Sequence, residues 1–390
     1  MLQVKSIIKS DLCSGCGLCS TKDLKIRMNP EGYLRPTGNL NKEIPTGCPG
    51  YKLEHKETTS DFYDNLWGPV IDTHKGYSNN KELRNKGSSG GVITTLVKEA
   101  IETNIVDKAI VTTSDPSSPL NNKTVIVDSI QELIKTTGSR YSPSSPLDII
   151  PKILGDKYKY VFVGKPCDVA ALRQFVRKNQ KYKDKFPLMF SFFCAGVPSH
   201  NASIELVEKL GGNPKDVTNL RYRGEGWPGL TRVSFKNASD LTCTYQESWG
   251  SILNKHLQKR CKLCADGTGE FADISCADVW DESVDGYPSF EEKDGYSLII
   301  TRTETGNEFL KNSAQINYEK YDIGKLKKVQ PYQYERKSFV LIRNLALKSF
   351  FKRTVKYSGF SLFELTKKIN IRILMIQYLS TVKRILNNRI

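Results

Sequence analysis

"YKYVFVGKPCDVAALRQFVRKN", residues 158–179, is the stretch on which the fold reading turns. It predicts a strand, a tight turn and a helix, with Cys167 at the turn. "FPLMFSFFCAGVPSHNASIELVEKLGG", residues 186–212, repeats that order and places Cys194 at the equivalent point. Upstream, "NKGSSGGVITTLVKEAIETN" is a glycine-rich turn running into a helix, with apolar Val92, Leu96, Val97, Ala100 and Ile101. "VDKAIVTTS" then reads as a strand. "VIVDSIQELIKTTGSRYSPSSPLDIIPKIL" gives a short strand, a helix, a Gly/Ser/Pro loop and another helix. Alternating elements of this kind predict an α/β core with a mainly parallel sheet. After residue 215 the pattern shifts toward strands, in "TRVSFKN", "LTCTYQES" and "YSLIITRTET", so the chain is α+β overall.

The chain has 390 residues, enough for two or three domains and a sizeable core. Its start, "MLQVKSIIKSDL", carries a charge inside a very short apolar run and does not read as a signal peptide. No apolar run approaches the roughly 20 residues of a membrane span. A cytoplasmic protein is the expectation. Ten cysteines without a secretory signal argue against a disulfide framework and for metal binding. The four histidines are scattered, which argues against a histidine-rich zinc hydrolase and leaves them as surface or packing residues.

"DLCSGCGLCS", residues 11–20, spaces Cys13, Cys16 and Cys19 three residues apart. A 4Fe-4S cluster needs a fourth thiolate, often followed by proline, and Cys48-Pro49 supplies that pair. Cys13, Cys16, Cys19 and Cys48 are therefore assigned to one cluster. The competing reading is a structural zinc site. Residues 1–55 look like a ferredoxin-type module too small to be stable alone, so a cluster would supply its core. Cys167, Cys194 and the "CKLC" pair, Cys261 and Cys264, form a looser set. Two turns at one end of a parallel sheet would bring them together for a second cluster. Two buried thiols plus a zinc-like half-site is the alternative. Cys243 and Cys276 fit neither set and read as core residues.

Three turns are candidate contacts for a pyrophosphate-bearing cofactor. "GSSGG" offers Ser88, Ser89, Gly90 and Gly91 ahead of a helix whose first N–H groups favour an anion. "TGSRY" adds Gly138, Ser139 and Tyr141, and "GKP" adds Gly164, Lys165 and Pro166. "RYRGEGWPG" offers Arg221 and Arg223 to phosphates and Trp227 to a ring.

Taken in order, these stretches resemble the beta subunit of coenzyme F420-reducing hydrogenase and its relatives, from residue 10 to about 285. The carriers are "GSSGGVITTLVKEAIE", "TGSRYSPSS", "VFVGKPCDVAALR", "FFCAGVPS", "YRGEGWPG" and "CKLCADGTGEFADISCADVW". The resemblance implies an FAD-containing iron–sulfur oxidoreductase. Its flavin would pass electrons between 4Fe-4S clusters and an organic two-electron partner. That partner is a deazaflavin in methanogens and a chlorophyll derivative in plant and cyanobacterial reductases. Many bacterial relatives sit among polysaccharide-biosynthesis functions. The resemblance also implies a second cluster on Cys167, Cys194, Cys261 and Cys264. It divides the chain into the module at 1–55, an N-terminal family domain at 56–155, a C-terminal family domain at 156–325 and a basic helical tail at 326–390. Two departures stand out. Ala277 replaces a glycine, and Glu270 stands where bacterial relatives often carry an arginine, a position expected near substrate.

Ferredoxin or another one-electron donor and a small-molecule redox substrate are the expected partners. An electron-transfer subunit without a substrate of its own is the alternative function, and a homo-oligomer is left open. Residues 331–390 hold thirteen Lys/Arg against two Asp/Glu, a net of +11 out of the chain's +16. Leu362, Leu365, Ile369, Ile373, Ile376 and Leu379 recur there at helical spacing. A basic amphipathic helix packs on its own domain, binds a partner, or lies on the inner face of a membrane. No nucleic-acid motif accompanies the charge.

Overall fold

The computed structural model describes residues 2–55, 63–281 and 289–387. Its centre is an eight-stranded mixed sheet. In spatial order the strands are Ile316–Lys320, Asp72–Ser78, Ser297–Thr301, Ile274–Asp278, Leu188–Phe192, Tyr160–Gly164, Lys108–Asp115 and Ser118–Val127. Only the four neighbours from Ile274–Asp278 to Lys108–Asp115 pair in parallel. Both flanks are antiparallel, which corrects the expectation of a mainly parallel sheet. On one flank the reason is local: a two-residue connection after Asp115 permits only a hairpin. On the other, the early strand Asp72–Ser78 inserts between two late strands, a long-range pairing that alternating elements do not reveal.

The 158–179 stretch folds as its pattern predicts. Tyr160–Gly164 is buried along nearly its whole length, as suits a central parallel strand. Pro166 occupies the first turn of helix Pro166–Lys178, where a missing N–H does no harm. Asp168 near the helix start and Arg177 and Lys178 at its end complement the helix dipole. Val169, Ala170, Leu172 and Val176 face the core with Phe162 and Met189. "TRVSFKN" and "LTCTYQES" contribute to a separate antiparallel sheet of three strands, Val217–Arg221, Thr231–Phe235 and Leu241–Cys243.

The N-terminal segment holds helix Val4–Lys9 and a hairpin of Leu24–Met28 with Leu34–Gly38. Its apolar side chains pack with later parts of the chain: Ile7 and Leu12 join Leu263, Leu347 and Ile385. Cys16, Leu18 and Leu53 join the same cluster as Phe162, Val169 and Ala171. The C-terminal segment divides in two. Helices Leu326–Val329, Pro331–Ser338 and Val340–Lys348 bury Leu326, Val340, Ala346 and Leu347 in the body. Strand Lys356–Ser358 pairs with Lys52–Glu54 near the chain start. Helix Ile371–Leu386 instead lies at the surface and buries only Thr381 and Ile385.

A buried ion cluster ties the three parts together. Lys337 Nζ donates to Glu270 Oε1 at 2.8 Å and to the Leu66 carbonyl at 2.9 Å. His55 Nε2 lies 3.0 Å from Glu270 Oε2, and its ring stacks on Phe271 at 4.4 Å. His55 is thus neither a surface nor a purely packing residue. Burial alone would raise the Glu270 carboxyl, but Lys337 and His55 bring it down from 4.5 to about 2. Its stabilising contribution is therefore complete above pH 4.5 and lost as pH falls from there toward 2. Glu270→Gln should flatten that acid limb in denaturant titrations across pH. Lys337→Met, which strands a buried carboxylate, should lower stability by about 3–5 kcal/mol at neutral pH.

Candidate functional site: two cysteine nests and a cleft

The loop carrying Cys13, Cys16 and Cys19 is shaped by Gly15 and Gly17, with φ of +75° and +91°. A Cβ on Gly17 would stand 2.7 Å from the Asp148 amide nitrogen, so only glycine lets the loop close on that segment. Cys48 comes to the same place: Cys16 feels the charges of Cys48 and Cys19, and Cys13 acts on both Cys19 and Cys48. Desolvation raises all four, and repulsion from Cys13 adds to it in pushing Cys19 and Cys48 up to about 12.

The second set also converges. Cys167 lies in the first turn of helix Pro166–Lys178, an end that favours a thiolate. Its charge interacts with Cys194 and Cys264, and Cys194 interacts with Cys261 and Cys264. The Val197 amide donates to Cys261 Sγ at 3.3 Å. Burial pushes the Cys194 thiol up to about 12. The buried pair Lys165–Asp168, with Nζ to Oδ2 at 2.6 Å, acts on Cys16 of the first set and on Cys167 of the second. Lys165 also donates to the Ser144 carbonyl and hydroxyl, both at 3.1 Å.

Among the described residues no three His, Cys, Asp or Glu side chains are arranged to hold a single metal ion. A cubane makes a different demand. It spreads four thiolates over several iron atoms, so its ligands stand farther apart than the donors of a one-ion site. The all-thiol donor sets, and the buried cations Arg35, Arg260 and Arg336 beside them, fit an anionic cluster. Cys243 lies apart from both sets in the core under the three-stranded sheet. Cys276 is buried in the main sheet, yet it also reaches a cleft wall.

That cleft has a cavity volume of about 330 Å³, within the ~300–1,000 Å³ of a typical small-ligand site. It runs from the Gly87–Gly91 turn to Cys194. Of the ten cofactor-contact residues read from sequence, Ser88, Ser89, Gly91, Gly138, Ser139, Tyr141, Gly164 and Lys165 line it. Gly90 and Pro166 do not. The Gly90 amide is engaged by Ser297 Oγ at 2.9 Å, and Pro166 is turned into its own helix. The glycine-rich and "TGSRY" turns meet directly: the Ser139 amide donates to Ser88 Oγ at 2.6 Å. Helix Val92–Glu102 starts at this end, and Val92, Ile93 and Thr94 of its first turn line the cleft. The positive end of the helix dipole and unpaired first-turn N–H groups suit a phosphate there.

The opposite wall was partly missed in the sequence. Arg223 makes a two-pronged bond to Asp278 at 2.8 and 2.9 Å and donates to the Ser88 carbonyl at 2.6 Å. It is therefore a strut and not a free phosphate ligand. Arg221 is likewise held by the Lys86 carbonyl. Trp227 donates from Nε1 to Asp278 Oδ1 at 2.7 Å and stacks on Trp280 at 4.7 Å. Tyr245, Trp249, Asp278 and Trp280 all face the cleft. So do Gln330 and Gln333, from the segment beyond the resemblance; Gln330 Nε2 donates to the Asp278 carbonyl at 2.8 Å. The "RYRGEGWPG" and "CADVW" stretches were the local signals for this wall. Glu270, expected near substrate, is not part of the cleft lining and belongs to the ion cluster with His55 and Lys337.

The large mixed sheet and its flanking helices define a mixed α/β protein. Residues 73–150 match the N-terminal part of the coenzyme F420 hydrogenase/dehydrogenase beta subunit, and residues 157–328 match its C terminus. The chain belongs to the coenzyme F420 hydrogenase/dehydrogenase beta subunit family. It is similar to the coenzyme F420-dependent sulfite reductase of Methanocaldococcus jannaschii, at 26% identity over 349 residues, 86% of this chain and 51% of that protein. It is similar to the coenzyme F420 hydrogenase subunit beta of Methanothermobacter thermautotrophicus, at 25% over 262 residues, 63% of this chain and 83% of that one. The chain thus spans about half the length of the sulfite reductase, and 63% of a further M. jannaschii relative. A chain of the F420-reducing NiFe hydrogenase complex from Methanosarcina barkeri shares the fold, with TM-score 0.56 and 22% identity over 75% of this chain and 98% of that one.

Because Arg223 joins Asp278 to the glycine-rich turn, Asp278→Asn should loosen that turn. Amide hydrogen exchange is expected to speed up in residues 87–91 while residues 160–176 stay protected. Equal exchange in both variants would show that Arg223 holds the turn through its other bonds.

Proposed function

We propose that the chain is an iron–sulfur flavoprotein oxidoreductase, with FAD in the cleft and a 4Fe-4S cluster in each cysteine nest. The observation that carries this reading is the cleft itself, which ends at Cys194, a member of the second nest. FAD would supply the exchange between hydride and single-electron transfer, and the clusters would carry single electrons. The chain's own residues set the route. Helix Val92–Glu102 presents its N-terminus to a pyrophosphate, the Tyr245–Trp280 side covers a ring system, and the Lys165–Asp168 pair acts on thiols of both nests. The external donor is ferredoxin or another one-electron carrier. The two-electron partner is a small organic molecule. The relatives' names make coenzyme F420 the first to test, and a substrate of polysaccharide biosynthesis is the next class. A second reading, an electron-transfer subunit of a larger complex, draws on the relatives named as beta subunits. Turnover of any organic acceptor by the isolated chain would separate the two.

Anaerobic purification with iron, sulfide, zinc and flavin assayed on one sample is the decisive test. About eight irons and one FAD per chain are expected, since each 4Fe-4S cluster brings four irons. Cys13→Ser and Cys194→Ser should each remove one cluster, and Cys13→Ser should slow reduction by ferredoxin while FAD stays bound. Zinc without flavin would overturn the reading.

The surface helix adds a membrane contact to the proposal. Ile371, Met375, Ile376, Leu379 and Leu386 are exposed there, beside Arg372, Lys383 and Arg384. Among the described residues no helix is long and apolar enough to cross a membrane. An exposed apolar row with basic flanks suits the surface of an anionic bilayer. The full chain should float with phosphatidylglycerol-containing vesicles. A truncation after residue 369, which spares Lys337, should not. Equal flotation would remove this part.

A further inference from the structure

Arg260 is one of the largest fully buried side chains in the molecule, at 2% exposure. It directly precedes Cys261 of the second nest. Its Nη2 donates to the carbonyl of Pro49 at 3.1 Å, the residue after Cys48 of the first nest. Its Nε has no hydrogen-bond partner. The neighbouring Lys259 pairs with Asp11, whereas Arg260 has no carboxylate partner among the described residues. The Tyr357 ring, 5.9 Å from the guanidinium carbon, is spoken for by other bonds: its hydroxyl donates to the Leu263 carbonyl at 2.7 Å. The charge of Arg260 acts on Cys13 and Cys48 in one nest and on Cys167, Cys261 and Cys264 in the other. The two other buried arginines beside the nests are more selective. Arg35 acts on Cys13, and Arg336 acts on Cys194, Cys261 and Cys264 and donates to the Cys194 carbonyl at 2.7 Å.

A buried guanidinium without an anion is strongly destabilising. A cubane with four thiolates is a net anion in both of its working redox states, and reduction adds a further negative charge. We propose that Arg260 is the shared counter-cation of both nests, a positioning residue that raises the potentials of the two clusters together. The inference rests on the two-cluster reading. It goes beyond it in assigning a single side chain to both centres. Because the same charge faces both, removing it must make both harder to reduce.

The test is a redox titration followed by EPR on the full chain, after iron has been assayed. Arg260→Gln should keep about eight irons and shift both clusters to more negative potential. At a fixed potential the reduced-to-oxidised ratio of each should fall at least tenfold, which is about 59 mV for a one-electron couple. Arg35→Gln should move one cluster only, and Arg260→Lys, which keeps the charge, should stay near the wild type. The iron-free chain gives an independent readout. There Arg260→Met should be more stable to urea than the wild type, because it removes an uncompensated charge. Unchanged titrations in Arg260→Gln, or a shift in one cluster alone, would overturn the shared role. If Arg260→Gln does not load iron, a less stable iron-free Arg260→Met would overturn it as a structural arginine. Zinc or no iron in the wild type would instead sink the two-cluster reading, and a wild type with about four irons would leave nothing to share.

Discussion

The buried contact of Glu270 with Lys337 and His55 is the constraint on which the rest of the structure depends. Its three members come from the end of the N-terminal segment, the loop before the strand Ile274–Asp278, and the helix Pro331–Ser338. Charges this deep are stable only when paired, so the three segments must close together or not at all. Arg302 reinforces the closure by donating to the carbonyls of Trp67, Pro69 and Thr268 at 2.7–2.8 Å. The N-terminal cysteine loop is held against the main sheet as a consequence and is not a module on a tether.

Around that closure, the start of helix Pro166–Lys178 organises the chemistry. Cys167 sits in its first turn, and Asp168 and Lys165 act on thiols of both nests. Asp168 is among the charges acting on Cys16, and the same helix packs Val169 and Ala170 against Cys16 and Leu18. One helix start therefore faces both sets of thiols. Closeness of the two thiol sets follows from this packing and needs no dedicated linker.

The C-terminal segment serves two purposes that its composition blurs into one basic tail. Residues 326–348 belong to the body: Gln333 and Arg336 donate to the Cys194 carbonyl, and Gln330 closes the cleft wall at Asp278. Helix Ile371–Leu386 leaves most of its apolar residues in solvent. The basic charge is common to both parts, but only the second presents it beside exposed isoleucine, leucine and methionine.

The sequence by itself determined the local grammar. The strand–turn–helix units at 160–178 and 188–209 follow from period and turn chemistry, and the glycine-rich start of helix Val92–Glu102 was legible for the same reason. Eight of the ten residues named as cofactor contacts line the cleft, although only Gly164 and Lys165 lie at the end of one of the four parallel strands. Tertiary structure alone decided what joins distant positions. It inserted Asp72–Ser78 between two late strands, turned Arg223 from a ligand into a strut on Asp278, and buried Glu270 with Lys337. It also set Arg260 between the nests. None of these has a spacing signature, since each is a choice of partner made across tens to hundreds of residues and enforced by the cost of leaving a buried charge or strand edge unpaired.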